Sequence, residues 1–147
     1  MASNEPNKRD IKRILDRCIS AMNDVLVAEG MMADAPTYKW FEDSYIRPNV
    51  RIMRLTENKQ GKVVPLTPER VYFEQLAGSP RYDGLFRNWL DECFCSPGDG
   101  TTHRIIGLSR TNRKYPVLTM QLDEHGEDSG LIYKWTVPQI ERRMNNV

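Results

Sequence analysis

The stretch GLSRTNRKYPVLTMQLDEHGEDSGLIYKW, residues 107–135, decides the fold because its apolar residues alternate with polar ones. That period is typical of a strand with one buried face and one wetter face. Short polar turns separate the runs, so we predict an antiparallel three-stranded meander over 103–110, 115–123 and 130–137. The residues predicted on buried faces are Leu118, Met120 and Leu122 in the middle strand, and Leu131, Tyr133, Trp135 and Val137 in the last.

The two turns of this meander carry opposite charges. Residues 101–121 contain four bases and no acids, whereas residues 123–128 contain four acids and no bases. Successive turns of a meander lie at opposite ends of the sheet, roughly 25–30 Å apart here. The Debye length is only about 8 Å at physiological salt, so we expect the two groups not to neutralise each other. The bases are Arg104, Arg110, Arg113 and Lys114, and the acids are Asp123, Glu124, Glu127 and Asp128.

Three explanations of this charge pattern compete. Charged turns keep strand edges soluble. They also suit a docking surface for a protein partner, because complementary charge speeds encounter. Finally, the basic turn at 109–114 could contact nucleic acid as a wing, with Ser109, Thr111 and Asn112 donating to phosphate.

Outward toward the N-terminus, apolar residues recur at steps of three and four from Asn7 to about Glu29. This spacing predicts an amphipathic helix that ends at Gly30. The same pattern fits a helix packed on the core and a helix that forms a homodimer. Residues 1–7 are polar, and we expect them to fray.

Residues 31–49 show no clear period but are rich in aromatic side chains. We predict a connecting segment folded over the core, with Tyr38 and Trp40 as the alternative anchors of an interface. Alternation in 50–56, a turn, and a resumed strand at 63–66 predict a short hairpin, with Pro65 marking an edge strand.

Two helices are predicted in the centre of the chain. Thr67 and Gly78 bracket a helix over 68–77, and Ser79 and Pro97 bracket another over 80–95. Two helices followed by a hairpin resemble a winged helix in outline only, since the second helix carries too few donors to read a groove. A short terminal helix is predicted from Pro138. Together, the predicted helices and strands indicate a single α+β domain over residues 1–147.

The chain shows no recognisable catalytic motif, so an enzyme is disfavoured. Cys93, Cys95 and His103 could supply three metal ligands, but the spacing lacks the paired motif of a zinc site. Sequence does not show whether these three residues converge. Neither histidine can be placed beside a cysteine as its general base. We therefore predict no metal and no cofactor.

Bulk composition places the chain in a broad class. It has 147 residues and a formal net charge of +1, which disfavours a nonspecific nucleic-acid binder. The chain has an odd number of cysteines, no apolar leader and no apolar run long enough to span a membrane. These features predict an intracellular, cytoplasmic protein that does not enter a membrane, and they leave a nuclear location open.

These observations predict a non-enzymatic interaction protein that docks on a protein partner and modulates it. The alternative is a nucleic-acid-binding regulator that uses Arg104, Arg110, Arg113 and Lys114. The residues expected to contact the protein partner are Arg110, Arg113, Lys114, Asp123, Glu124, Glu127, Asp128, Tyr38 and Trp40.

Overall fold

The computed structural model describes residues 7–41 and 44–145. These residues form a mixed α+β structure with three α-helices and two antiparallel sheets. The contacts divide into two compact units, one running to Thr56 with Val63–Pro65 added, the other comprising Glu57–Lys62 and the chain from Leu66 onward. That all 147 residues form one domain stays a prediction. Except for Asn7, the residues expected to fray lie outside the described part.

The first unit opens with the predicted helix, α1 (Lys8–Leu26). The side chain of Asn7 caps it by accepting a hydrogen bond from the backbone N–H of Asp10 at 2.9 Å. A short 3-10 turn (Val27–Glu29) follows, and Gly30 ends it in the left-handed conformation at φ 73°. This confirms the predicted helix and its stop.

The described residues of 31–49, namely 31–41 and 44–49, are not the connecting segment that the sequence predicted. They lie in a long hairpin of β1 (Met31–Phe41) and β2 (Tyr45–Glu57), and β3 (Val63–Pro65) adds to β2 as the edge strand expected from Pro65. A bulge between Asp34 and Thr37 inserts one extra residue and breaks the alternation that marks a strand.

The side chain of Asn23 fixes α1 to β1. Its Oδ1 accepts from the backbone N–H of Ala33 at 2.6 Å, and its Nδ2 donates to the carbonyl of Ala33 at 3.1 Å. Asn23 thus satisfies two backbone groups of a strand that has only one strand neighbour among those described. The bond pair protects that edge of the sheet.

The second unit contains α2 (Pro68–Leu76), then β4 (Cys93–Cys95), β5 (Thr102–Leu108), β6 (Val117–Leu122), β7 (Asp128–Trp135) and α3 (Val137–Asn145). The three strands of the meander are confirmed, and β4 extends them to a four-stranded sheet in the order β4-β5-β6-β7. Thr67 caps α2 as predicted, accepting from the N–H of Arg70 at 3.1 Å.

The prediction of a second central helix over 80–95 is wrong. That segment holds two 3-10 turns (Pro80–Tyr82 and Arg87–Trp89) and then β4. Asp91 has a φ of 70°, which no α-helix accommodates. The backbone here pairs with β5 instead, since Asp91 N–H donates to Ile105 and Glu92 accepts from Ile105 at 2.8 and 2.9 Å. Without this helix the winged-helix outline is lost.

One continuous hydrophobic core holds the second unit together. Helix α2 packs on β5 so closely that a Cβ on Gly107 would lie 2.8 Å from the backbone carbon of Glu69. The core residues with essentially no exposed surface are Phe73, Leu85, Ile105, Leu108, Val117 and Ile140.

Candidate interaction surfaces

The basic turn, residues 109–114, is closed by its own polar side chains. Ser109 N–H donates to the carbonyl of Pro116 at 2.7 Å, and Asn112 Oδ1 accepts from the N–H of Tyr115 at 2.9 Å. Ser109 Oγ accepts from the N–H of Asn112 at 3.2 Å. These bonds fix the shape of the turn, but they use side-chain acceptors, and a phosphate would need side-chain donors.

The three cations of the basic turn are solvent-exposed. The guanidinium of Arg110 lies over the ring of Tyr72 at 4.9 Å, and the ammonium of Lys114 lies over that of Tyr115 at 5.4 Å. Cation–π contacts at exposed sites are weak, about 0.5–1 kcal/mol. Arg110, Arg113 and Lys114 therefore keep most of their capacity to contact an acidic surface.

The acidic turn, residues 123–128, is partly neutralised within its own unit. Glu127 pairs with Lys62 at 2.7 Å, and Asp128 pairs with Arg104 at 2.8 Å. Asp123 Oδ1 accepts from two backbone N–H groups of the turn, those of His125 and Glu127. Glu124 keeps the most exposed carboxylate, with 86% of its side chain exposed and His125 at 3.4 Å.

Arg104 lies at the acidic end of the sheet and not at the basic end. Strand β5 starts opposite the end of β6, since Thr102 pairs with Leu122, so its third residue is near Asp128. The Arg104 side chain is only 7% exposed. Its pairing with Asp128 leaves it out of reach of a phosphate at the basic turn.

The edge strand β7 is a surface that the sequence analysis missed. Its neighbouring residues Leu131, Ile132 and Tyr133 are 53%, 55% and 43% exposed. Leu131 and Tyr133 were predicted on a buried face, and that is wrong, because both side chains are exposed, although the Tyr133 ring still packs edge-on against His103 at 5.1 Å. Among the described strands β7 pairs with β6 alone. The available signal was three apolar residues in a row where a half-buried strand alternates.

A bulge shortens the regular part of β7. Leu122 pairs with Asp128 and Met120 with Ile132, so three residues of β7 face one of β6. Gly130 lies in this bulge with a φ of 84°. Only Ile132–Trp135 keeps regular pairing through to Val117.

Tyr38 and Trp40 lie on β1 in the first unit, opposite Pro48 and Ile46. Both are half-buried. The Nε1 of Trp40 is buried without a hydrogen-bond partner in the described residues. An indole N–H in this state is costly to bury.

A buried ion pair organises the segment before α2. Arg70 donates to both carboxylate oxygens of Asp91 at 2.6 and 2.5 Å, and their side chains are 10% and 3% exposed. This hydrogen bonding raises the pKa of Arg70 against the opposing effect of burial. Lys59 N–H and Gln60 Nε2 also donate to Asp91. The cluster holds residues 57–62 against the rest of the second unit. No sequence pattern indicates this cluster, because helical spacing over 80–95 predicts Asp91 on a helix.

His103 is enclosed by the rings of Phe94, Tyr133 and Trp135 at 5.1–5.5 Å. Trp135 Nε1 donates to Thr119 Oγ1 at 2.8 Å, which leaves the Thr119 hydroxyl free to donate to His103 Nδ1 at 3.1 Å. The other ring nitrogen, Nε2, then donates to Thr101 Oγ1 at 2.9 Å. Burial lowers the pKa of His103, and the charge of Asp99 opposes this only partly. The geometry fits a neutral, structural histidine.

Cys93 and Cys95 do not converge with His103. His103 pairs with Phe94 across β4 and β5 and stacks on its ring, while the two cysteines alternate to the other face. Burial is the main cause that raises the pKa of the Cys93 thiol, with Arg104 opposing it. A raised pKa makes a poor nucleophile. Within 7–41 and 44–145 no three histidine, cysteine or acidic residues gather as metal ligands.

None of the described helices is long and apolar enough to cross a membrane. Comparison with family models, with curated proteins and with solved structures finds no match to the chain.

Proposed function

We propose that this chain is a non-enzymatic interaction protein that docks on an extended segment of a protein partner along β7 and modulates that partner. One observation carries the proposal, namely the exposure of Leu131, Ile132 and Tyr133 on a strand that has one neighbour among the described strands. Such an edge recognises an extended peptide by strand addition: backbone hydrogen bonds give affinity, and side chains on alternate positions give specificity. A cytoplasmic setting is part of the same proposal.

The charged turns supply the orientation of the docked segment. Strand β7 begins at the acidic turn, and its last residue, Trp135, pairs with Val117, which follows the basic turn. A segment added along β7 therefore runs from one turn to the other. It fits best with a base opposite Glu124 and an acid opposite Arg113 and Lys114. Complementary charge then speeds encounter and fixes direction more than it adds affinity.

The edge is built for a short and selective contact. The bulge at Ser129–Leu131 and the exposed Lys134 are features that keep edge strands from pairing indiscriminately. Regular pairing is left to Ile132–Trp135, which offers few backbone hydrogen bonds. We expect weak, micromolar affinity that depends on the apolar side chains and on both turns.

Tyr38 and Trp40 are a second proposed contact, carried by the first unit. The support is the partly exposed Trp40 beside other aromatic residues, of which Phe41 and Tyr45 stack at 4.7 Å. Aromatic residues with one polar atom are frequent interface anchors.

The nucleic-acid alternative has less support from the geometry. With Arg104 paired to Asp128, it rests on Arg110, Arg113 and Lys114, and Arg110 already contacts Tyr72. Three exposed cations on one turn release few counterions, so binding would be weak at physiological salt.

The proposal is tested by selecting displayed random peptides on the immobilised full chain. We expect selected peptides to be extended, to carry a base at one end and an acid at the other, and to lose at least about tenfold in affinity when alternate backbone amides are N-methylated. The Ile132→Glu variant should no longer bind these peptides. The matched control is Val63→Glu, since Val63 is 66% exposed on the edge strand of the other sheet. This control should bind normally.

If the selected peptides bind the Ile132→Glu variant as tightly as they bind the wild type, docking on β7 is wrong. Exchanging Arg113 and Lys114 for Glu should slow peptide association without unfolding the chain. If those exchanges instead abolish binding of a labelled oligonucleotide, with a steep loss of affinity on a log–log salt plot, the nucleic-acid function replaces this one.

A further inference from the structure

Helix α1 has a wider apolar surface than its own unit covers. The residues turned toward the sheet are buried or half-buried: Ile11, Leu15, Ile19, Met22 and Leu26. Beside them runs a second line of apolar or small residues, all exposed. This outer stripe consists of Ile14, Cys18, Ala21 and Val25 on α1 and of Ala28 in the 3-10 turn that follows, with Ile14 48% and Val25 68% exposed.

The spacing of the outer stripe is that of a coiled-coil contact. Its residues follow one another at intervals of four, three, four and three, which averages 3.5 residues. This period keeps one line of side chains against a partner helix over several turns. The small residues Cys18 and Ala21 occupy its centre, where they allow two helices to approach closely.

The charges that flank the outer stripe indicate which partner fits it. Asp10, Arg17 and Asp24 follow one edge of the stripe at intervals of seven residues. If a second copy of α1 packs antiparallel, Ile14 meets Val25 of the copy and Cys18 meets Ala21 of the copy. Arg17 then lies opposite Asp24 of the copy, and symmetry forms this ion pair twice. Neither Arg17 nor Asp24 has an ion-pair partner among the described residues.

A parallel arrangement of the same two helices fits worse. It would place Asp24 against Glu29 of the copy, which repel, and Arg17 against the apolar Met22. The flanking charges thus complement an antiparallel copy of the same helix and oppose a parallel one.

We propose that α1 pairs with α1 of a second copy through the outer stripe, antiparallel, to form a symmetric homodimer. The stripe is about 21 Å long at 1.5 Å per residue. This is short for an obligate interface, so the dimer dissociates in the micromolar range. The surface is separate from β7, and each proposal stands or falls by its own variants.

The direct test is sedimentation velocity in reducing buffer over a range of concentrations. The wild type should change from monomer to dimer as concentration rises, and Val25→Glu should remain monomeric. Arg17→Asp and Asp24→Arg should each weaken the dimer about tenfold, because each places like charges opposite one another. The double variant Arg17→Asp/Asp24→Arg should regain the wild-type dissociation constant, since it restores both pairs. Asp16→Arg, exposed on the opposite face of α1, is the control and should dimerise normally.

Disulfide trapping tests the register independently. In Ala21→Cys, oxidation should link the new thiol to Cys18 of the second copy, identified by peptide mapping. Ser20→Cys faces away from the stripe and should give no such link with Cys18. A wild type that stays monomeric at every concentration overturns the proposal. A double variant that shows no recovery overturns the antiparallel arrangement, and a dimer unaffected by Val25→Glu places the interface elsewhere.

Discussion

The two units of the molecule bury hydrophobic residues to very different degrees. Among the described residues the second unit has eleven buried apolar side chains in one cluster, whereas the first has only Ile11, Ala33 and Met53. Helix α1 has 19 residues and a single buried one. The difference shows that the second unit carries its own core, while the first depends on hydrogen bonds such as those of Asn23. Apolar surface left on α1 is therefore available for association.

Removing the buried ion pair between Arg70 and Asp91 should have the largest effect on the stability of the second unit. Arg70→Met leaves the Asp91 carboxylate buried without its partner, so we expect the free energy of unfolding to fall by about 3–5 kcal/mol. Urea denaturation followed by tryptophan fluorescence measures this loss. Lys62→Met removes an exposed pair with Glu127 and should cost less than about 1 kcal/mol. Equal losses in the two variants would show that the buried pair does not hold the second unit together.

A smaller and more local effect is expected in the first unit. Asn23→Ala removes both hydrogen bonds to the backbone of Ala33, at a cost of about 1–2 kcal/mol. The amide of Ala33 should exchange with solvent faster, while amides of β5 and β6 should not change. Ser20→Ala, also on α1 but exposed, is the control. Faster exchange in β5 as well would mean that the units share their stability.

The smallest effect is the pH dependence that comes from His103. Its pKa is lowered in the folded chain, chiefly by burial, so below about pH 6.5 the unfolded chain binds more protons. Stability should be complete above pH 6.5 and decline as pH falls through the folded pKa. Protonation would also break the bond that Thr119 donates to Nδ1.

The urea midpoint measured against pH checks this. His103→Gln should flatten the decline, whereas His125→Gln, in the exposed acidic turn, should leave it unchanged. If the urea midpoint of His103→Gln still declines as pH falls, groups other than His103 cause the decline.

Helices and strands with uninterrupted periods could be predicted from the sequence. Helix α1 and the strands of the meander follow from apolar spacing, and the cap at Thr67 follows from a threonine before a proline. The predicted buried face of β6 is wrong, because Val117 and Thr119 are buried while Leu118, Met120 and Leu122 are only half-buried. The hairpin of β1 and β2 could not, because its bulge and two prolines, Pro36 and Pro48, interrupt the alternation. The segment 80–95 has helical spacing, but its backbone forms short local turns up to Trp89 and pairs with β5 from Asp91 onward, which local sequence does not show.

Some features of the candidate sites could also be predicted from the sequence, and others could not. The positions of the two charged turns at opposite ends of β6 follow from the meander. The pairing of Arg104 with Asp128 depends on register across three strands, which charge counting misses. The exposure of β7 depends on what covers the sheet, and the buried Asp91 depends on a backbone conformation that sequence did not indicate.

Amide hydrogen exchange, read by mass spectrometry at low and high protein concentration, tests the contrast between the units most directly. We predict that at low concentration α1 exchanges far faster than β5 and β6, and that concentrating the protein slows α1 alone. Protection of α1 equal to that of β5 at low concentration, with no change on concentrating, would contradict both the weak core of the first unit and its pairing with a second copy.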